Sequence, residues 1–329
     1  MLTQILDLAL DRFGLLRSKV DELISMDVLK FLKSIWVKYK GSYNPYIKKP
    51  SLAGIDSGYN YIEYRGYALY VVSTVSVLLN ENREENLDGW VNVDIVSSPN
   101  LEYELSILST CAEVKFMEKL VSKVDLVLVD GSLVAILYKL HKASLDAGLE
   151  VLENNGINVA QLLKDLIIML SINPKKFIFI SKNSNSRDLL GLVKGDIYYL
   201  ERYTDFEVGY SKPIDLVYSK NLGVATVAKL FNKYSKRATG LDLTIGLTYT
   251  RFDKFSRVYR IEIVVEPNED IDARIKHLID VLSDVIISGY PYPLARAHNL
   301  AKVSSKDVER VAILLGIAKD PRDREAFLM

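Results

Sequence analysis

The sequence predicts an α/β protein: a mixed five-stranded sheet flanked by helices, with N-terminal helices before it and a C-terminal helical extension after it. Three observations carry this. Strand-like apolar runs come in quick succession before the first long helix, and strands then alternate with helices. Two segments of near-identical grammar, Leu52-Ala53-Gly54-Ile55-Asp56-Ser57-Gly58 and Leu126-Val127-Leu128-Val129-Asp130-Gly131-Ser132, each run an apolar strand into an aspartate followed by Gly and Ser. Finally, 329 residues at 49% hydrophobic content suffice for a large core.

Taken in order, Ile5, Leu6, Leu10, Phe13, Leu16, Val20, Leu23, Ile24, Leu29, Leu32 and Ile35 recur at helical spacing. One or two amphipathic helices are therefore expected between Leu2 and Val37, in need of a surface to lie on, either the main body or a twin subunit. Tyr39 to Pro50, with Gly41, Asn44, Pro45 and Pro50, reads as a linker, which divides the chain into a helical segment at 1–45 and a main domain at 46–329. Ser51–Asp56, Ala68–Leu79 and Trp90–Val96 read as three antiparallel strands. Pro99-Asn100 stops the last strand and caps a helix over Leu101–Val124. Leu126–Asp130 is a buried strand, Leu133–Leu152 and Val159–Ser171 are helices, and Phe177–Ser181 is a fifth strand with Lys182 at its exit. Further on, Val258–Val265 reads as a strand, Asp270–Ser288 as a helix and Lys306–Leu315 as the final helix.

Composition excludes several functions. Lys plus Arg equals Asp plus Glu at 42 each, so no global basic field attracts nucleic acid. The strongest local candidate is Lys229 to Arg260, where Lys229, Lys233, Lys236, Arg237, Arg251, Lys254, Arg257 and Arg260 interleave with Phe231, Tyr234, Tyr249, Phe252, Phe255 and Tyr259. Cations beside rings suit single-strand binding. A solvated helix followed by an amphipathic hairpin accounts for the same pattern. Cys111 is the only cysteine, which excludes internal disulfides and a cysteine metal cluster, and its helical setting reads as packing. No apolar run is long enough for a membrane span, and charges interrupt the first twenty residues, so a cytoplasmic protein is expected.

Each aspartate is expected to emerge where its strand ends, with Gly and Ser turning the backbone away from the carboxylate. The order β-β-β-α-β-α-β with aspartates on the first and fourth strands resembles the ribonuclease H fold, in which those strands are parallel neighbours at the sheet centre. Two carboxylates side by side beyond the strand ends can share divalent metal. On the helix from Leu101, Glu113 falls about 80° from Leu105, at the border of the core stripe, where it can look toward the strand tips. Of the three histidines, His141 and His277 sit in ordinary amphipathic patterns. His298 instead follows Gly289-Tyr290-Pro291-Tyr292-Pro293-Leu294-Ala295-Arg296-Ala297. The prolines are expected to forbid regular structure there and to deliver the imidazole on a rigid approach, as a base, an acid or a metal ligand.

The Ile-Asp-Ser-Gly start, the Val-Asp-Gly-Ser-Leu strand, Ser181-Lys182 and above all Gly-Tyr-Pro-Tyr-Pro-Leu-Ala-Arg-Ala-His resemble the NurA family of archaeal nucleases. The similarity runs in order from Ala53 to His298 and covers the helices before Tyr39 and the stretch Tyr203–Lys254 least. The resemblance implies a core like that of ribonuclease H and of the Argonaute nuclease domain. It implies manganese-dependent degradation of DNA ends, chiefly 5′ to 3′, endonuclease action on single strands, and dimers that dock on the hexameric helicase-translocase HerA. It makes Asp56, Glu113 and Asp130 acidic metal ligands, with Tyr290 and His298 completing the site, although the motif offers Tyr292 as well as Tyr290. Lys182 and Arg296 are then expected to contact phosphate.

Carboxylate oxygens suit two magnesium or manganese ions, and the imidazole of His298 tilts the choice to manganese. Two other functions fit parts of the pattern. An actin-like or sugar-kinase ATPase also places Asp-Gly turns at two strand ends, but the sequence has neither its Gly-rich nucleoside segment nor its double-glycine phosphate hairpin. A non-catalytic adaptor that loads a motor on DNA is expected to lack the carboxylates, and all are present.

Overall fold

The computed structural model describes residues 2–20, 26–39, 49–80 and 83–322. Helices α1 (Leu2–Asp11), α2 (Phe13–Val20) and α3 (Met26–Ile35) lead into a short strand, β1 (Trp36–Lys38). That makes three helices where one or two were expected, and residues 3–18 are exposed throughout. From α3 onward the chain joins the body, since Leu32, Ile35 and Trp36 are buried in the main core. Leu23 and Ile24, and most of the expected linker, lie outside the described residues.

Strands β2 (Leu52–Tyr64), β3 (Tyr67–Asn80) and β4 (Arg83–Val96) form the expected antiparallel meander, longer than anticipated. Then come α4 (Leu101–Leu120), β5 (Leu126–Asp130), α5 (Leu133–Ala143), α6 (Glu150–Asn154), α7 (Val159–Ile172) and β6 (Phe177–Ser181). The helix expected over Leu133–Leu152 is broken in two, and the break lets the buried carboxylate of Glu104 accept the Val151 amide in the first turn of α6 at 2.7 Å. Beyond β6 the chain adds α8 (Asp196–Tyr203), β7 (Gly209–Ser211), β8 (Ile214–Asp215), α9 (Leu222–Thr239), β9 (Thr244–Arg251) and β10 (Tyr259–Val265). It closes with α10 (Ile271–Ser283), the small hairpin β11 (Ile286–Ile287) and β12 (Tyr290–Pro291), α11 (Tyr292–Ala301) and α12 (Ser305–Leu314).

The main sheet has ten strands, in the order β1-β7-β9-β10-β6-β5-β2-β3-β4, with β8 paired to β9. The five expected strands occupy one half of it. Strands β2, β5 and β6 are parallel neighbours, as the sequence suggested for the first and fourth strands, and the other pairings are antiparallel. The central strands are buried on both sides because their residues alternate between two cores. Phe177 and Phe179 of β6 face a core shared with α4, α5, α7 and α9, while Ile178 and Ile180 face one shared with α10 and α11. Helices therefore cover both faces of the sheet.

The Lys229–Arg260 patch divides. Its helix-then-hairpin reading is the one the chain adopts, as α9, β9 and β10. Arg251, Arg260, Phe231, Tyr249, Phe252 and Tyr259 are buried, because the hairpin is a pair of interior strands and not a surface ribbon. Lys229, Lys233, Lys236 and Arg237 on α9, with Lys254, Phe255 and Arg257 in the loop, remain exposed.

Candidate active site

Parallel pairing of β2 with β5 runs from Leu52↔Leu126 to Ile55↔Val129 and stops there. The next residue on each strand is an aspartate, so Asp56 and Asp130 stand side by side. Only β5 ends at its aspartate, however. Strand β2 continues eight residues further, to Tyr64, because β3 supplies an antiparallel partner along its whole length.

The glycines of β2 therefore do not turn the chain. An added Cβ at Gly54 would lie 2.4 Å from the carbonyl carbon of Pro293, and one at Gly58 would lie 2.6 Å from the carbonyl oxygen of Ala301. Gly54, Asp56 and Gly58 share one face of the strand, and α11 lies across that face with its first turn on Gly54 and its last on Gly58. His298, three residues before Ala301, is thereby held over Asp56, with Nδ1 2.6 Å from Asp56 Oδ2. Pro293 did not forbid regular structure. It sits in the first turn of α11, where its missing N–H has no partner to lose.

The turn after Asp130 is fixed differently. Gly131 takes φ = +135°, a conformation L residues rarely adopt, and its amide bonds to the Ile180 carbonyl at 2.9 Å. Ser132 caps α5, accepting from Ala135 N and donating to the buried Glu262 at 2.8 Å. Glu262 also accepts the Val134 amide and is paired with Arg260, which in turn pairs with Asp188. A carboxylate inside the apolar run Ile261–Val265 was the sequence signal for this network, since a charge in a buried strand requires a partner.

Glu113, on α4, is buried and accepts a hydrogen bond from Ser57 Oγ. Burial first, then the charges of Asp56 and Asp130, raise its pKa to about 8 against the pull of Ser57. Asp56 is raised to about 6, again by burial first and Asp130 second, with His298 pulling it down. Lys182 extends from the end of β6 to Asp130 at 2.7 Å and lies over the Tyr290 ring at 4.5 Å. Tyr290 rather than Tyr292 faces the acids: burial first, then the charge of Asp130, hold its hydroxyl well above its ordinary pKa, and the hydroxyl is directed at Asp130. Tyr292 instead bonds to Glu84 at 2.7 Å, and Arg296 pairs with the same carboxylate at 3.4 Å, so neither joins the acids. Cys111 is buried, its thiol pushed up to about 12, as a packing residue should be.

One ligand atom each from Asp56, Asp130 and His298 lie within 4.8 Å of one another. Together with two carboxylates, Asp56 and Glu113, whose charge the fold disfavours, this arrangement fits a divalent cation. Asp56, Asp130 and His298 line a groove of about 1160 Å³ whose walls also include Ser57, Lys182, Asn183 and Tyr138. Carboxylates and an imidazole beside an open groove are the groups that metal-assisted hydrolysis requires.

Comparison with known proteins agrees. The NurA domain profile matches residues 50–303. The DNA double-strand break repair nuclease NurA of Sulfolobus acidocaldarius is 30% identical over 309 residues, covering 89% of this chain and 88% of that protein. Its counterpart in Sulfurisphaera tokodaii is 26% identical over 323 residues, covering 92% and 91%. The crystal structure of the NurA nuclease from Sulfolobus solfataricus superposes with a TM-score of 0.69 over 95% of each chain at 22% identity. A NurA structure bound to dAMP and manganese gives 0.57 at 14% identity, over 99% of this chain and 98% of that one. The chain belongs to the NurA family. It is an enzyme that hydrolyses DNA phosphodiester bonds, and the ATPase and adaptor readings fall away. No helix among the described residues is long and apolar enough to cross a membrane.

Proposed function

We propose that this protein is a manganese-dependent nuclease of double-strand break repair, a 5′–3′ exonuclease on single- and double-stranded DNA and an endonuclease on single strands, acting in end resection. The observation that carries the reading is the convergence of Asp56, Asp130 and His298 in the wall of the groove. In this reading residues 46–329 are the nuclease domain and the half-sheet β4-β3-β2-β5-β6 is its ribonuclease H-like core, a reading supported by the parallel pairing of its first and fourth strands, β2 and β5. The protein works in the cytoplasm as a homodimer docked on hexameric HerA, with the apolar residues exposed on α1 and α2 available for one of those contacts.

Asp56, Glu113, Asp130 and His298 would hold two manganese ions, or magnesium in their place, and these supply charge neutralisation and an activated water when bound. With Asp56 ionised, His298 Nδ1–H donates to it and leaves Nε2 toward the groove, able to take a proton or to coordinate. Lys182 neutralises Asp130 now, and is placed to pass its ammonium to a nonbridging phosphate oxygen once that carboxylate is engaged. Tyr290 presents a protonated hydroxyl as a further donor.

Incubating 5′- and 3′-labelled single- and double-stranded DNA with manganese, magnesium or EDTA tests the reading. Product ladders from the 5′ end in manganese and intact DNA in EDTA are expected. Cleavage that persists in EDTA overturns the metal-dependent mechanism, and ladders from the 3′ end overturn the polarity.

A further inference from the structure

The groove leading away from the acids has a wall that catalysis does not explain. Val134 and Tyr138 of α5 line it together with Val224, Val227 and Leu230 of α9. The neutral polar stretch after Lys182 also lines it, with Asn183 and Asn185 exposed. Among the described residues the lysine and arginine side chains lining the groove are Lys182 and Arg260, and both are already paired with carboxylates. Double-stranded DNA presents phosphates outward, and this wall offers them almost nothing. Unpaired bases present π faces and amide-like edges, which an exposed tyrosine, branched aliphatic side chains and asparagines accept.

We infer that the α5–α9 groove is a binding track for the unpaired bases of the DNA strand being cut, with Tyr138 as its stacking platform. Tyr138, on α5, is 59% exposed, so the fold does not use it to fill the core. The apolar surface continues past it into a small recess of about 30 Å³ formed with His141, Leu230 and Tyr234, the last also exposed. Lys233 and Arg237 follow Leu230 by three and seven positions on α9, which puts them on the same side of the helix and exposed. A strand with its bases against Tyr138 and its phosphates toward Lys233 and Arg237 would leave the track and meet Asp56, Asp130 and His298. The inference rests on the reading of those residues as the nuclease centre.

Fluorescence anisotropy in EDTA tests it, using a labelled thymidine oligonucleotide and an oligomer of equal length made of abasic tetrahydrofuran units. The wild-type protein should bind the base-bearing oligomer roughly tenfold more tightly or better, and Tyr138→Ala should weaken that binding by about 5- to 100-fold, the range for loss of one stacked base. Tyr138→Phe should restore it. Equal wild-type affinity for the two oligomers overturns the track, because the backbone then carries all the binding. So does a Tyr138→Ala loss of equal size on both. Cleavage of the same thymidine oligomer in manganese is scored separately: binding as expected without cleavage removes the nuclease centre and keeps the track, and cleavage with no effect of Tyr138→Ala on binding does the reverse.

Discussion

Ile55-Asp56-Ser57-Gly58 and Val129-Asp130-Gly131-Ser132 are close to the same words, yet the fold uses them in opposite ways. Around Asp130 the strand stops, Gly131 takes φ = +135°, and Ser132 opens a helix. Around Asp56 the strand runs on, and Gly54 and Gly58 lie beneath a helix so closely that a methyl group at either would meet its backbone. One glycine supplies a conformation and the other two supply an absence of volume. What separates them is tertiary: β3 pairs with β2 well beyond Asp56, whereas the ladder of β5 with β2 stops at Val129 and that with β6 at Asp130. The two carboxylates arrive side by side by different physical routes, and only the route through β2 brings a histidine with it.

The largest effects are expected where the two segments are alike. Asp56→Ala and Asp130→Ala should each reduce cleavage by about 10³-fold or more, and the double variant should be little worse than either, because ligands of one metal group act as a unit. Single-turnover cleavage in manganese measures this. Additive losses, or a variant as active as the wild type, would remove the shared site.

A smaller effect should separate the segments. Gly58→Ala must displace the last turn of α11, since an alanine Cβ has no room beside the Ala301 carbonyl. His298 rides on that helix, so the variant should lose about 10- to 100-fold in rate, the scale of a misplacement near 1 Å. Gly131→Ala meets nothing within 4 Å, and its expected cost is conformational, about 1–2 kcal/mol of stability. Thermal unfolding and single-turnover rates on both variants check the pair. If Gly58→Ala behaves like Gly131→Ala, losing stability with its rate intact, the glycine is not what seats the helix.

Much of this was legible in the sequence, and the failures have a common cause. Strands β2 to β6 and the two aspartates on β2 and β5 follow from local pattern, because buried strands are written in hydrophobic periodicity, whereas the parallel pairing of β2 and β5 was expected only from the resemblance to the ribonuclease H fold. The continuation of β2, the helix at Tyr292–Ala301 and the interior position of β9 and β10 depend on partners distant in the chain. Pro293 was misread for a related reason: a proline halts a helix or starts one depending on where the first turn falls. Glu262 was legible in principle, as a charge in an apolar run, while Ser57 was visible only as part of a motif.

The smallest expected effect concerns Glu113, the acid reached through Ser57. Its pKa of about 8 in the fold compares with about 4.3 for an unfolded glutamate, the rise coming from burial first. Between those values the unfolded chain binds fewer protons than the folded one, so stability falls as pH rises from about 4 to 8, and the whole penalty is present above that. Asp56 adds a narrower fall that is complete near pH 6. Glu113→Gln keeps an oxygen for the Ser57 hydroxyl to donate to and cannot ionise. In EDTA it should therefore be more stable than the wild type at pH 8.5, by roughly 1–3 kcal/mol, and indistinguishable near pH 4.5, where the wild-type carboxyl is already protonated. Thermal unfolding at the two pH values measures both ends. An equal gain at both would mean that packing, not ionisation, sets the difference, and a loss at pH 8.5 would mean that Glu113 is held as a carboxylate by a partner stronger than Ser57.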